Sequence, residues 1–501
     1  MLGESQTWDE GIHLIAGYAY LRTGDYSLSP EHPPLGRVLC ALPLLALDLE
    51  FNPATLIPPG IDAGRDFVYR NRISPDIILG TARSMTVVLT LLFAAWIAWW
   101  TAKRFGPVPA LIALTLFCFD PNIIAHGRYI TTDLIAAFTI FLVCTLWIDY
   151  LDAPTWQRMV LTGVALGAAL ASKNSAVFLI PVVIVAGLWK RRWRGTLGAL
   201  AIGFVVLLLV YAPEIWRIGQ AGPLLPHLQR KGFAAEVLAN VAQALHLPNW
   251  SYLVGIDQLL ELNMTGEPAY LLGQLGNHGW WYYFPVAFLV KTPVGTLLAL
   301  AVTAALAWRM REQRWVLMVL AAVPLAFFAI CVQSQITIGH RHILPIYAFL
   351  FVLAGVVLER HRRLAVMLGV LVVVESAAIY PYYLSFFNRA VGGPEAGGKY
   401  LVDSNLDWGQ DGKRLGAYLA KNHINRVCLS YFGNLDLLRY GIEFQPMPMR
   451  PEDADCIAAV SATPLHGLYV KPEETAWLQG KTPMDRVGYS IFVYDLRKHR
   501  D

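Results

Sequence analysis

Long apolar runs fill the chain from about Thr81 to Phe387, broken by short charged or aromatic junctions. A membrane-crossing helix needs roughly 17–25 mostly apolar residues, and this pattern predicts about ten such segments. They are 84–102, 108–124, 134–150, 158–172, 175–189, 195–212, 283–307, 315–332, 343–358 and 364–380. The earlier apolar run Leu35–Leu49 is short and contains Pro43, so it is expected to lie at the membrane interface. After residue 387 the pattern changes. Strand-like runs at Val427–Tyr431, Cys456–Val460 and Ser490–Tyr494 alternate with helical patterns such as Gly409–Lys421, predicting a small α/β domain. The expected fold class is therefore an α-helical polytopic membrane protein with a small α/β soluble C-terminal domain. Its parts are an outer loop 1–83 with an interfacial helix, a transmembrane domain 84–387 carrying a large loop 213–282, and a C-terminal domain 388–501.

Composition agrees with the pattern. Hydrophobic residues make up 56% of the chain and charged residues 15%, against about 45–50% and about 25% in soluble domains. The net charge of +4 gives no reason to expect a nucleic-acid partner, because the basic residues sit at membrane junctions. They cluster at alternate junctions: Lys103 and Arg104; Arg158; Lys190, Arg191, Arg192 and Arg194; Arg309, Arg311 and Arg314; and Arg360, Arg362 and Arg363. Cytoplasmic loops carry such an excess, so residues 1–83, 213–282 and 388–501 are expected outside. Residue 1 then also falls outside, and a membrane helix ahead of it is expected. The aromatic run Trp280–Phe284 falls at a predicted outer interface. Six cysteines show no zinc spacing; Cys428 and Cys456 in the tail are either a disulfide or two buried thiols.

Polar residues near a membrane are costly and so informative, and here nearly all gather on the predicted outer side. Asp9 and Glu10 are adjacent carboxylates at a helix start, either a helix cap or a general base beside a binding carboxylate. His32 lies in Glu31-His32-Pro33-Pro34-Leu35. Arg83 and Arg128 stand at outer helix edges, each a possible interfacial anchor. Asp133 either caps a helix or faces the same cavity as Asp9. Lys173, between two short helices, either extends to the interface or is placed for a phosphate. His340, Arg341 and His342 make a third cationic spot. Asp453-Ala454-Asp455 is a weak metal-type match. The run from Asp403 to Arg414 fails as a calcium loop, because Trp408 and Arg414 occupy its required glycine and glutamate positions. Asn249 and Asn263 lie in glycosylation sequons of the outer loop.

With these motifs the sequence resembles membrane glycosyltransferases of the GT-C fold, in the branch of dolichyl-phosphate-mannose protein mannosyltransferases and aminoarabinose lipid A transferases. The segment from Tyr380-Pro381 to Asp403-Ser404-Asn405-Leu406-Asp407-Trp408-Gly409-Gln410-Asp411 is similar to a bacterial subgroup of phospholipid-carrier-dependent glycosyltransferases. The resemblance implies Asp9 as catalytic base, Glu10 as an acceptor-side carboxylate and Asp133 as a second acid of the cavity. It places Lys173 and Arg83 near a lipid phosphate. His32, Arg128, His340, Arg341 and His342 join the expected substrate-binding set. The implied reaction is inverting transfer of a sugar from a polyprenyl-phosphate donor to a hydroxyl of a protein, lipid or glycan acceptor at the outer face of a plasma or inner membrane. No cofactor is firmly implied, although Asp9, Glu10 and Asp133 would suit a divalent metal. A transporter or flippase of lipid-linked sugars, and an inactive assembly subunit, are the competing readings. Transporters tend to place charges near the bilayer midplane and to show internal repeats, and neither feature is present.

Overall fold

The computed structural model describes residues 3–53, 61–218, 250–310 and 314–498. Among them, five helical stretches are long and apolar enough to cross a membrane: Pro75–Phe105, Asp133–Asp152, Trp193–Val210, Arg314–Val332 and His340–Ile379. The protein is an integral, multi-pass membrane protein. The stretch His340–Ile379 has 40 residues, which as one straight helix would reach about 60 Å. Its two ends nevertheless meet. The His340 N–H donates to Asn405 Oδ1 at 2.8 Å, and Lys291 Nζ donates both to Asn405 O at 2.6 Å and to Leu384 O at 2.8 Å. The stretch therefore doubles back at the 3-10 turn Glu359–His361, as the predicted pair 343–358 and 364–380 requires.

Other expected crossings need correction. The segment 283–307 is not straight: Tyr283–Lys291 and Val294–Arg309 meet at 114°, where Thr292 precedes Pro293 and the proline ring disfavours a helical residue before it. Backbone exposed by such a break must find partners. Asn388 Nδ2 donates to Leu289 O and Thr292 O, Asn122 Nδ2 donates to Lys291 O, and Glu375 Oε2 accepts from the Gly295 N–H. The segment 108–124 is likewise divided. Helix Pro107–Cys118 stops, and Asp120 then caps Pro121–His126 by accepting from the Asn122 and Ile123 N–H groups. Pro107–Cys118, Trp156–Leu170 and Asn174–Trp189 are shorter than a full crossing. The run Leu35–Leu49 forms helix Pro34–Ala41 and a 3-10 turn Leu42–Ala46. Of the aromatic run, Tyr283 and Phe284 are core residues, while Trp281 is exposed.

The C-terminal sheet has five strands in the order Phe444–Pro446, Val427–Ser430, Ile457–Ser461, Ile491–Asp495, Asp485–Val487. The first three are parallel and the last two antiparallel to their neighbours. The sequence pattern anticipates the three inner strands and helix Gly412–Lys421; the two edge strands are three residues each, too short to show alternation. Leu415, Leu429, Ile457 and Val493 of this domain share one core with Leu14, Ile15, Tyr69 and Ile78 from the N-terminal part. The N-terminal segment runs beneath the domain, with the Ser5 N–H bonded to Gln410 O and the Trp8 N–H to Trp408 O, both at 2.9 Å. The described residues of the N-terminal part and of the C-terminal domain thus pack against each other.

The two tail cysteines form a disulfide. Cys428 is in register with Ala458, and Cys456 lies two residues before it on the same face, which brings the Cα atoms to 6.2 Å, a span a disulfide bridges. It closes a loop with a sequence separation of 28, so its removal should cost about 3–4 kcal/mol in the chain-entropy account. Thermal unfolding of the Cys428→Ser/Cys456→Ser variant should show this loss, and reducing agent should reproduce it in the unmutated protein.

Candidate active site

Helix Glu10–Thr23 begins at Asp9 and ends at Gly24, whose left-handed conformation lets its N–H close on Tyr20 O. Asp9 makes no side-chain cap hydrogen bond, so the capping role fails. Its carboxylate reaches the membrane helices instead. Asp9 Oδ2 accepts from Arg341 Nη1 at 2.7 Å, and the same nitrogen stands 3.7 Å from Asp133 Oδ2. Asp133 Oδ1 accepts from Lys173 Nζ. Asp9, Arg341, Asp133 and Lys173 are therefore one connected set, drawn from four separate stretches of sequence. The Arg341 guanidinium carbon lies over the buried Trp408 ring at 4.3 Å, a cation–π contact. Asp9 is the most open of the four, with 22% of its side chain exposed. Among the described residues its Oδ1 accepts no hydrogen bond.

His32 and His342 border the set. His32 lies within electrostatic reach of Lys173, Asp133 and Arg341, as does His342. The His342 Nε2 is buried with no partner among the described residues. Four expected site residues lie elsewhere. Glu10 is fully buried and accepts from Arg83 Nε and Nη2 at 2.8 and 2.6 Å, from the Thr7 N–H at 2.8 Å and from the Ile130 N–H at 3.0 Å. Arg83 also donates to Ser5 O. Both Glu10 oxygens are thus engaged within the fold and Arg83 is committed to them and to Ser5 O, and the pair ties the N-terminal segment to helix Pro75–Phe105. Arg128 is taken by Glu4 at 2.8 Å. His340 points into the core, with Nε2 2.6 Å from Tyr347 Oη, which in turn meets Thr292 Oγ1.

Other residues join the site that the sequence pattern alone did not mark. His13, one helical turn after Asp9, is buried beside His32 with the ring centroids 5.0 Å apart. Arg37 Nε donates to its Nδ1 at 2.9 Å, which places the proton of the neutral ring on Nε2. Burial, reinforced by Arg37, holds His13 well below the usual imidazole range. On the C-terminal side, Trp8 stacks on Phe432 and Phe432 on Tyr469. Tyr469 Oη donates to Asp403 Oδ2 at 2.8 Å. Asp403 is pushed up to about 6, chiefly by burial, and burial also raises Glu267. Both lie within electrostatic reach of Asp9 and Arg341. The site is thus cationic toward the membrane helices and acidic and aromatic toward the C-terminal domain. The i, i+4 spacing of Asp9 and His13 was the available signal for His13. Nothing local marked Glu267 or Tyr469.

Among the described residues no three His, Cys, Asp or Glu side chains converge as metal ligands. Asp453 and Asp455 are exposed, and Asp455 Oδ1 accepts from the Lys498 N–H. Asn263 Oδ1 accepts from the Gln335 N–H, while Asn249 lies outside the described residues.

Trp408 is flanked by Asp407, whose Oδ2 accepts from the Thr463 N–H at 3.0 Å. Burial pushes this carboxyl up to about 8 against the pull of that bond. The folded protein therefore holds the proton more tightly than the unfolded chain. The resulting stabilisation is full below the unfolded carboxylate value of about 3.9 and is lost as pH rises through the folded value. Melting temperatures should fall between pH 5 and pH 9, and Asp407→Asn should flatten that fall.

The family model for dolichyl-phosphate-mannose-protein mannosyltransferase matches residues 80–216, which include Asp133 and Lys173. The undecaprenyl phosphate-alpha-4-amino-4-deoxy-L-arabinose arabinosyl transferase of Pseudomonas aeruginosa strain UCBPP-PA14 is 26% identical over 293 residues, covering 56% of this chain and 46% of that protein. The chain spans about half the length of the curated relatives it matches. The crystal structure of ArnT from Cupriavidus metallidurans bound to undecaprenyl phosphate is 14% identical, with a TM-score of 0.49 over 99% of this chain and 96% of that one. The oligosaccharyltransferase of Archaeoglobus fulgidus, solved with zinc and sulfate, gives 14% and 0.43 over 89% and 54%. By family model and curated relatives, the chain resembles glycosyltransferases of the dolichyl-phosphate-mannose-protein mannosyltransferase and aminoarabinose arabinosyl transferase kinds.

Proposed function

We propose that the protein is an inverting glycosyltransferase that moves a sugar from a polyprenyl phosphate to an acceptor hydroxyl. The observation that carries this reading is the set Asp9, Arg341, Asp133 and Lys173, which joins one partly open carboxylate to two cations at the end of the membrane helices. A sugar on a phosphate already has a competent leaving group. The reaction therefore needs a base and a holder of phosphate charge, and not the second carboxylic acid of glycoside hydrolysis. The acceptor oxygen attacks the anomeric carbon and Asp9 Oδ1 takes its proton. The bond from that carbon to the phosphate oxygen breaks, its electrons passing to the phosphate, where Arg341 and Lys173 stabilise the charge. One displacement inverts the anomeric centre and releases polyprenyl phosphate. Asp133 holds the two cations in place between turnovers. If a divalent ion takes part, Asp9 and Asp133 are the carboxylates nearest to the reacting groups.

The site faces the extracytoplasmic side on this reading. Lys103 and Arg104 pair with Asp149 and Asp152 at the opposite end of the same helices, where the positive-inside rule puts the cytoplasm. The Cys428–Cys456 disulfide fits an oxidising compartment for the C-terminal domain. The acceptor is a protein, a lipid or a glycan.

The test uses purified protein in proteoliposomes, a panel of radiolabelled undecaprenyl-phosphate pentoses and hexoses, and an envelope extract as acceptor. The expected result is label in the acceptor with release of undecaprenyl phosphate. Labelled lipid that crosses the bilayer with its sugar still attached would replace this reading with transport.

A further inference from the structure

The four charged groups of the site neutralise one another. Two carboxylates, Asp9 and Asp133, face two cations, Arg341 and Lys173. Nη1 of Arg341 is shared between both carboxylates. Its Nε is buried with no partner among the described residues, at 3.6 Å from where a side chain on Gly339 would begin. The terminal nitrogens are thus the ones an arriving anion meets.

An added phosphate cannot share this arrangement at no cost. It brings negative charge to a group already in balance, with Glu267 and Asp403 close by. A phosphate offers a guanidinium more acceptor oxygens than a carboxylate does, in geometry suited to paired hydrogen bonds. Asp133 is held from the other side by Lys173. Asp9, the more open carboxylate, is held in this set by Arg341 alone.

We propose that Asp9 and the donor phosphate compete for Arg341, so that phosphate binding is what releases Asp9 to act as the base. This rests on the reading of the site as a phosphate-donor transferase. Its consequence is an order of events: the lipid donor arms the site, and an acceptor hydroxyl that arrives first meets a carboxylate still tied to a guanidinium. A water molecule is refused in the same way until the donor is seated. The released Asp9 then stands in a negative neighbourhood with Glu267 and Asp403, which favours proton uptake by the group.

The test measures the affinity of farnesyl phosphate, a polyprenyl phosphate that has no sugar to transfer, by titration calorimetry on the full chain in nanodiscs. If the competition holds, Asp9→Asn binds this probe about tenfold more tightly than the unmutated protein, a coupling of ordinary size. Asp9→Ala, which also removes the acceptor oxygens, gives the same direction and serves where the first variant does not fold. In an Arg341→Gln background the gain from Asp9→Asn disappears, because the contested group is gone. Unchanged or weaker binding by both Asp9 variants overturns the competition and leaves the transferase reading standing. An equal gain with and without Arg341 overturns it as well, since that is general charge repulsion. Farnesyl phosphate that binds neither the unmutated protein nor any variant overturns both the competition and the phosphate-donor reading.

Discussion

Asp9→Asn should lower kcat for sugar transfer by about 10²–10⁴-fold, the usual worth of a positioned general base. The donor KM should not rise. The amide keeps the shape of the side chain but loses the capacity to take a proton and the charge that pairs with Arg341, which leaves that cation more available to the donor phosphate. Single-turnover transfer with a radiolabelled polyprenyl-phosphate sugar gives both numbers. Activity within a few-fold of the unmutated protein would end the assignment of Asp9 as base. A loss confined to KM would place it among the binding groups.

Arg83→Ala carries the second large effect, on folding and not on chemistry. Breaking a buried ion pair by removing one partner leaves the other charge stranded, at a cost of about 3–5 kcal/mol. Glu10 is fully buried, and Arg83 supplies two of its hydrogen bonds. Thermal unfolding in detergent should show the loss, and Glu10→Ala should resemble it, because each removes the same tie between the N-terminal segment and helix Pro75–Phe105. The alternative role for Arg83, a phosphate ligand, predicts another outcome: Arg83→Lys would raise the donor KM and leave the melting temperature in place.

The resemblance-bearing motifs located the site's neighbourhood better than its individual contacts. Apolar runs and junction charges marked the membrane helices, because the bilayer demands long apolar segments and biases loop charge. They could not show that 283–307 bends, since Pro293 alone does not reveal that Asn122 and Asn388 wait to satisfy the opened backbone. Asp9, Asp133, Lys173 and Arg341 were legible as costly polar residues on one side of a membrane, and they do meet. Glu10 and Arg83 carried the same signal for a different reason: a buried structural ion pair and a catalytic group look alike in sequence, because both are charges where charge is expensive. Arg128 on Glu4 and His340 on Tyr347 follow the same logic. Trp408, under Arg341, lies in the stretch whose similarity to carrier-dependent glycosyltransferases was visible but gave it no role. Tyr469 reaches the site through the folding of the C-terminal domain against the helices, and Glu267 through the loop segment that follows helix Ser251–Thr265.

The central claim is that Asp9, Arg341, Asp133 and Lys173 form one site that holds a lipid phosphate. An experimental structure with bound undecaprenyl phosphate tests it most directly. The account predicts phosphate density within hydrogen-bond reach of Lys173 and Arg341, with Asp9 separated from Arg341 and turned toward the C-terminal domain. Phosphate bound away from these two cations, with the Asp9–Arg341 and Asp133–Lys173 pairs unchanged, would contradict it.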